Sequence, residues 1–150
     1  MRTVREVSAG GLLWRREGNR IVVVLVRPAG RESWVMPKGG LEANETSEQA
    51  ALRECREETG FEVALDRPLG HIMYFYTRRE DGGAPVRVLK RVDFYLMKIT
   101  GGEASRHDAE IAEVRWFPID EALDRATYRD ERALIAKGRE KLSGGQADSA

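Results

Sequence analysis

The chain has almost no cysteine, no long apolar run and no excess of either charge. Cys55 is the only cysteine among 150 residues, so no disulfide can form within the chain and a reducing compartment is expected. The N-terminal MRTVREVSAGGLLWRREG holds no apolar stretch long enough for a signal peptide or a membrane span. The expected setting is cytoplasmic, with no membrane partner. The 25 Lys and Arg balance 25 Asp and Glu, which leaves no basic excess of the kind duplex nucleic acid attracts. A small phosphorylated ligand needs only a local basic cluster and stays open. Nothing repeats internally and no linker divides the chain. One domain with its own core is therefore expected over residues 1–142, with a small, polar, frayed tail at 143–150.

Strand signals dominate. Val7 to Trp14 and Ile21 to Val26 are apolar segments flanking Gly18-Asn19, a tight-turn dipeptide, and predict a hairpin. Trp34 to Pro37 is a short extended piece, because Pro37 disfavours helix before it. Glu62 to Leu65, Leu69 to Thr77, Val86 to Leu89, Val92 to Ile99 and Val114 to Phe117 read as further strands. In the aromatic run Tyr74-Phe75-Tyr76, alternation sends at least one ring to the core. Thr46 with Gln49 makes a capping-box pattern and Gly60 suits the position after a helix, so a helix is expected from Ser47 to Thr59. Asp120 caps a short helix through Arg125, and a longer one starts at Thr127 or Asp130 and runs to Leu142. Strands with two substantial helices imply an α/β (α+β) sandwich around a mixed sheet.

Within the first helix stands Arg53-Glu54-Cys55-Arg56-Glu57-Glu58. Residues three and four apart share a helix face, so Glu54, Glu57 and Glu58 converge although like charges at that spacing repel. A hard divalent cation among them, taking oxygen ligands, would relieve that repulsion. Ala50, Ala51 and Cys55 supply a different, small-residue face that can pack closely on a sheet. A helix rich in Glu and Arg is ordinarily just a solvated surface. That reading has no place for the glycines and the further glutamate at fixed offsets around it.

Those offsets resemble the Nudix box, which is Gly, five residues, Glu, seven residues, then Arg-Glu-U-x-Glu-Glu-x-Gly-U with U a bulky apolar residue. Gly39, Glu45, Arg53, Glu54, Glu57, Glu58 and Gly60 fall on its positions, with Cys55 and Phe61 at the two U sites. The opening Ser8-Ala-Gly-Gly-Leu-Leu-Trp14, the lead-in Trp34-Val-Met-Pro-Lys-Gly39 and the closing segment from Glu113 to Ala122 are also similar to Nudix hydrolases. The resemblance runs from about Val7 to Leu142 and implies a Nudix-type α/β/α sandwich with a central mixed sheet. It also implies a pyrophosphohydrolase that uses Mg2+, with Mn2+ able to substitute.

By position, the resemblance implies Glu54, Glu57 and Glu58 as metal ligands, with the Gly39 carbonyl as a further oxygen. Arg53 orients these carboxylates, Glu45 holds the loop or the helix start, and Gly39 and Gly60 are backbone positions where a side chain would clash or φ is positive. Family members often carry a general base about six residues before the closing tryptophan. Glu110 stands there relative to Trp116, with Glu113 as rival. Lys38, Arg27, Lys90 and Arg91 are candidate bases for substrate phosphates, and Tyr74 and Tyr76 are candidate stacking platforms for a nucleobase.

The lead-in resembles that of diadenosine polyphosphate and diphosphoinositol polyphosphate hydrolases, and Tyr76 matches a tyrosine found in the former. The first expectation is hydrolysis of a dinucleoside polyphosphate. The alternative is removal of oxidised nucleotides such as 8-oxo-dGTP. Diphosphoinositol or ADP-ribose hydrolysis and a non-catalytic nucleotide-binding regulator rank lower, the last because a binding module has no need of the glutamates. In each case the partner is a small nucleotide or polyphosphate; oligomeric state is not legible.

Overall fold

Gly18 and Asn19 turn the chain back on itself, and the segments flanking them become β1 (Thr3–Glu17) and β2 (Arg20–Pro28). Glu17 faces Arg20 across this two-residue loop, where Gly18 takes φ 64°, a conformation that costs glycine nothing. The structure, a computed structural model, describes residues 1–144; the rest of the expected tail, 145–150, lies outside the described residues. The remaining strands are β3 (Lys38–Gly40), β4 (Phe61–Arg79), β5 (Pro85–Gly102) and β6 (Ile111–Pro118), and the helices are α1 (Ser47–Thr59), α2 (Ile119–Arg125) and α3 (Arg129–Gly144). Strand order is β4-β5-β1-β2-β6, with β3 also paired to β1. β1 and β5 run parallel and every other pair is antiparallel, so the sheet is mixed.

Helices cover both faces. On one, Ala50, Ala51 and Cys55 of α1 pack with Ala9, Leu13, Val24 and Met97. The approach is close: a Cβ on Gly11 would stand 3.2 Å from the Cys55 Sγ and 2.8 Å from Met97, which leaves little room for a larger residue at position 55. On the other face, Leu134, Ile135 and Leu142 of α3 join Leu12, Phe94 and Leu96 in the larger core. The α/β/α sandwich expected from the sequence is the architecture found.

The expected limits of α1 are also found. The Thr46 hydroxyl accepts from the Gln49 N–H at 3.1 Å, and the Gln49 side chain accepts from the Thr46 N–H at 2.9 Å. Gly60 closes the helix at φ 79°, its N–H donating to the Arg56 carbonyl at 2.8 Å.

Elsewhere the strands outrun their apolar segments. Glu62–Leu65 and Leu69–Thr77 are one strand, β4, carried through its polar middle by bulges near residues 62, 66 and 69. The pairs Val86–Leu89 and Val92–Ile99 likewise fuse into β5, because backbone pairing to β1 and β4 continues through Lys90 and Arg91. Within the short piece Trp34–Pro37, Val35 bridges to Val26, and the paired strand begins at Lys38. Helix α2 starts at Ile119 behind Pro118 without a side-chain cap, so Asp120 lies inside it. Helix α3 continues past Leu142 to Gly144. Among the described residues no helix is long and apolar enough to cross a membrane.

Candidate active site

The box residues come from three pieces of chain. β3 brings Gly39, the loop into α1 brings Glu45, and α1 brings Arg53, Glu54, Glu57 and Glu58. Arg53 is the hub. It donates to both oxygens of Glu45 at 2.8 and 2.9 Å and to the Gly40 carbonyl at 2.9 Å. Its remaining nitrogen reaches Glu57 at 3.3 Å and Glu54 at 3.5 Å. Glu45 also accepts from the Glu42 N–H at 2.8 Å. The Arg53 guanidinium, followed by that N–H, holds the Glu45 carboxyl down to about 2. Glu45 is thus tied to the loop and to Arg53, while Arg53 spans loop, strand and two glutamates.

Glu54 and Glu58 are the reverse case. Burial pushes the Glu54 carboxyl up to about 7; Arg53 opposes the rise, and Glu57 and Glu110 add to it. Burial also pushes Glu58 up to about 8, against the Lys38 N–H, which donates to it at 3.2 Å, and with Glu54 and Asp108 adding to the rise. Gly39 explains how Glu54 fits. A Cβ there would fall 1.5 Å from a Glu54 carboxylate oxygen, so that oxygen occupies the space a side chain would need. Gly60 instead needs its positive φ, and a Cβ would also meet the Glu103 carbonyl at 2.2 Å.

Among the described residues no three His, Cys, Asp or Glu side chains meet closely enough to enclose an ion. Glu57 turns to Arg53, and Glu58 to the Lys38 N–H. The donor set nevertheless suits a hard divalent cation. It is all oxygen, and burial raises two of its half-buried carboxylates, Glu54 and Glu58, a cost of ionisation that a cation would offset.

The two candidate bases part company. Glu110 stands in the loop before β6, where its charge bears on Glu54. Its N–H donates to the Asp108 carboxylate at 3.1 Å, and its carbonyl accepts from Ala29 at 2.8 Å. Asp108 in turn donates its N–H to the Glu57 carbonyl at 2.8 Å, so the loop is pinned to the end of α1. Glu113 lies in β6 opposite Arg27 of β2 and is held ionised, chiefly by Arg115, with Arg27 at 3.5 Å. That pairing also engages Arg27, which further donates to the Arg31 carbonyl.

Strand register sorts the other candidates. Glu6, Lys90 and Tyr74 are direct neighbours across β1, β5 and β4, and Tyr76 lies one pair further along the same face. The Tyr76 hydroxyl donates to Glu6 at 2.7 Å, Lys90 approaches Glu6 at 3.7 Å, and the two tyrosine rings are 6.2 Å apart. Lys38, opposite Gly10 in β3, is on this face too. Arg91 is not: it faces the opposite side and is bound to Asp93 at 2.7 Å. The expectation that one ring of Tyr74, Phe75 and Tyr76 enters the core is overturned, since all three are exposed. β4 is an edge strand there and runs beyond the cover of α1.

Several side chains near the site escaped the sequence reading. Asp108 belongs to an Asp-x-Glu turn that could have been noticed. Arg56 and Arg106 line a depression of about 320 Å³ beside Glu57. Glu131, only 2 % exposed on α3, accepts from the Met36 N–H at 2.8 Å and lies near Tyr74. Nothing in a helical charge pattern marks it as buried.

The sequence profile of the NUDIX domain matches residues 4–137. A Mycobacterium tuberculosis (strain CDC 1551 / Oshkosh) protein bearing the provisional name mutator protein MutT4 is 44% identical, over 99% of this chain and 60% of its own length. An 8-oxo-(d)GTP phosphatase of Mycolicibacterium smegmatis (strain ATCC 700084 / mc(2)155) is 33% identical, over 90% of this chain and 41% of its own. The chain therefore spans about half the length of these two relatives. Among solved structures, a C. elegans Ap4A hydrolase in a binary complex superposes with a TM-score of 0.71 at 25% identity, over 93% of this chain and 98% of that one.

Proposed function

The chain belongs to the NUDIX domain family, that of the NUDIX hydrolases, and from that premise we propose that it hydrolyses a pyrophosphate linkage in a dinucleoside polyphosphate. The observation that carries the substrate is the shared sheet face of Lys38, Lys90, Tyr74 and Tyr76. Two cations spaced along one face suit a long polyphosphate, and an exposed tyrosine suits the base at its far end.

Glu54, Glu57, Glu58 and the Gly39 carbonyl are the groups that would hold Mg2+, or Mn2+ in its place. Such an ion supplies charge neutralisation at the phosphate oxygens. Arg53 keeps Glu57 and the Gly40 backbone in place through bonds it already makes. Glu110, held by Asp108, takes a proton from the attacking water. Lys38 and Lys90 bind phosphates away from the scissile bond, Arg56 and Arg106 receive the departing phosphate beside Glu57, and Tyr74 stacks on an adenine. A fully buried Cys55 suits a reducing, cytoplasmic setting, where it has no disulfide to make.

One observation favours a second reading, removal of oxidised nucleotides. The relative named 8-oxo-(d)GTP phosphatase is 33% identical over 90% of this chain. The test is a panel of diadenosine polyphosphates, 8-oxo-dGTP, ADP-ribose and diphosphoinositols, with Mg2+, with Mn2+ and with chelator. The first reading expects a dinucleotide to have the highest kcat/KM, and Tyr74→Ala to raise its KM roughly tenfold while sparing short triphosphates. Preference for 8-oxo-dGTP over every dinucleotide would replace it with the second. Turnover that survives chelation would remove the metal assignment.

A further inference from the structure

The sheet face opposite the lysines and tyrosines is uncovered beyond the start of α1, and its composition is one-sided. In register across β1, β5 and β4, successive rows read Pro85–Arg79, then Thr3–Arg87–Thr77, Arg5–Leu89–Phe75 and Val7–Arg91–Met73. Each row carries one arginine, and rows lie about 6.7 Å apart. All four arginines are exposed, as are Phe75 at 52% and Met73 at 46%. Among the described residues Arg5, Arg79 and Arg87 have no acidic partner, and Arg87 instead stacks over the Phe75 ring at 3.9 Å. The acids at the border are engaged: Asp93 accepts from Arg91 and from the Ser47 hydroxyl at 2.8 Å, and Glu48 accepts from Tyr95 at 3.3 Å. In a chain whose charges balance overall, three arginines without a competing carboxylate, with Arg91 at their border, form a local positive patch.

We propose that this face binds single-stranded nucleic acid, as a second site beyond the start of α1, on the side of the sheet opposite the lysines and tyrosines. Its chemistry matches what an unpaired strand presents. Arginines one per row can follow a phosphate backbone, while Phe75, capped by the Arg87 guanidinium, and the flat apolar side chains of Leu89 and Met73 offer surfaces for unstacked bases. A single strand is favoured over a duplex because only unpaired bases present their faces to Phe75 and the apolar side chains beside it. An acidic peptide would satisfy the arginines and leave the exposed ring without a specific role, and a second copy of this face would oppose arginine to arginine.

Fluorescence anisotropy with labelled oligouridylate and labelled oligothymidylate, at low and raised salt, tests this on the intact chain. Binding is expected to weaken with salt. Arg5→Ala and Arg87→Ala should each lower the log–log salt slope by roughly one, and Phe75→Ala should weaken binding roughly tenfold. Hydrolysis of a small nucleotide should be unchanged in all three, which reports that the fold is intact. Arg87→Lys should restore the salt slope without the full affinity. The two oligonucleotides distinguish RNA from DNA as the preferred strand. Absence of binding at low salt overturns the proposal. So does binding that is lost on substituting Lys38 and Lys90 but kept in Arg5→Ala and Arg87→Ala, which would place the strand on the face of the lysines and tyrosines. Displacement by polyglutamate as effective as by unlabelled oligonucleotide, with no effect of Phe75→Ala, overturns it in favour of an acidic protein partner.

Discussion

Replacing Glu58 with Gln should make the metal-free protein more stable, and only at neutral to alkaline pH. Burial raises this carboxyl from an ordinary 4.5 to about 8. Below pH 4.5 the group is neutral in folded and unfolded chains alike, and the variant and wild type should melt together. As pH rises, the unfolded chain ionises first and the folded chain resists, so stability falls through the window up to pH 8 and then levels off. At about 1.4 kcal/mol per pH unit the accumulated loss is about 3–5 kcal/mol. The side-chain amide of the Glu58→Gln variant carries no charge and keeps an oxygen for the Lys38 N–H, so the variant escapes that loss. For a chain of this size the difference corresponds to roughly 6–20 °C in Tm. Thermal melts in chelator, from acid to pH 9, should therefore show the two proteins diverging with pH. Adding Mg2+ should close the gap by stabilising wild type and leaving the variant nearly unmoved. Parallel melting curves at every pH would refute the reasoning, because Glu58 would then not be held against its own ionisation. A gap that Mg2+ leaves open would refute the metal assignment alone.

Three other outcomes follow from the same geometry. Glu110→Gln should lower kcat by about 10²–10⁴-fold with little change in KM, while Glu113→Gln, whose parent is occupied by Arg115 and Arg27, should change it little; steady-state kinetics reversing that order would move the base. Gly39→Ala should cost roughly 100-fold or more in turnover, because the new Cβ claims the place of a Glu54 oxygen; its effect on Tm should vanish in a Glu54→Ala background, and persistence there would show the glycine serves something else. Arg53→Lys should lose the paired bonds to Glu45 and the bond to Gly40, destabilising by about 1–3 kcal/mol in denaturant titrations. Glu45→Gln should act on the same contact, so the double variant should fall short of additivity.

Local features were legible because local physics sets them. The Thr46–Gln49 box and Gly60 bound α1 through bonds made within a few residues, and helical spacing alone places Glu54, Glu57 and Glu58 together. The Gly18-Asn19 turn follows from backbone freedom in the same way. Strand lengths were not legible. β4 and β5 extend over polar residues because their backbones are paired to neighbours, and the bulges that carry β4 past Asp66 leave no mark in an apolar pattern. The aromatic run misled for a related reason: alternation tells that neighbouring rings face opposite sides, but not that an edge strand outruns its helices and leaves both sides open.

By itself the sequence determined the family, the helix that carries the box, and the kinds of groups available for a cation and for phosphates, since each of these depends on residue identity and short-range spacing. Only the tertiary structure decided their electrostatic state and their company. Burial beside β3 makes Glu54 and Glu58 reluctant carboxylates while Arg53 leaves Glu45 the opposite. Pairing of β2 with β6 sets Arg27 opposite Glu113 and joins them as an ion pair. Parity along β5 sends Lys90 to the face of Tyr74 and Tyr76 and its neighbour Arg91 to the opposite face, among arginines from two other strands. Residues distant in sequence meet only through the packing of the sheet, and the dielectric around a charge is set by everything that packs against it.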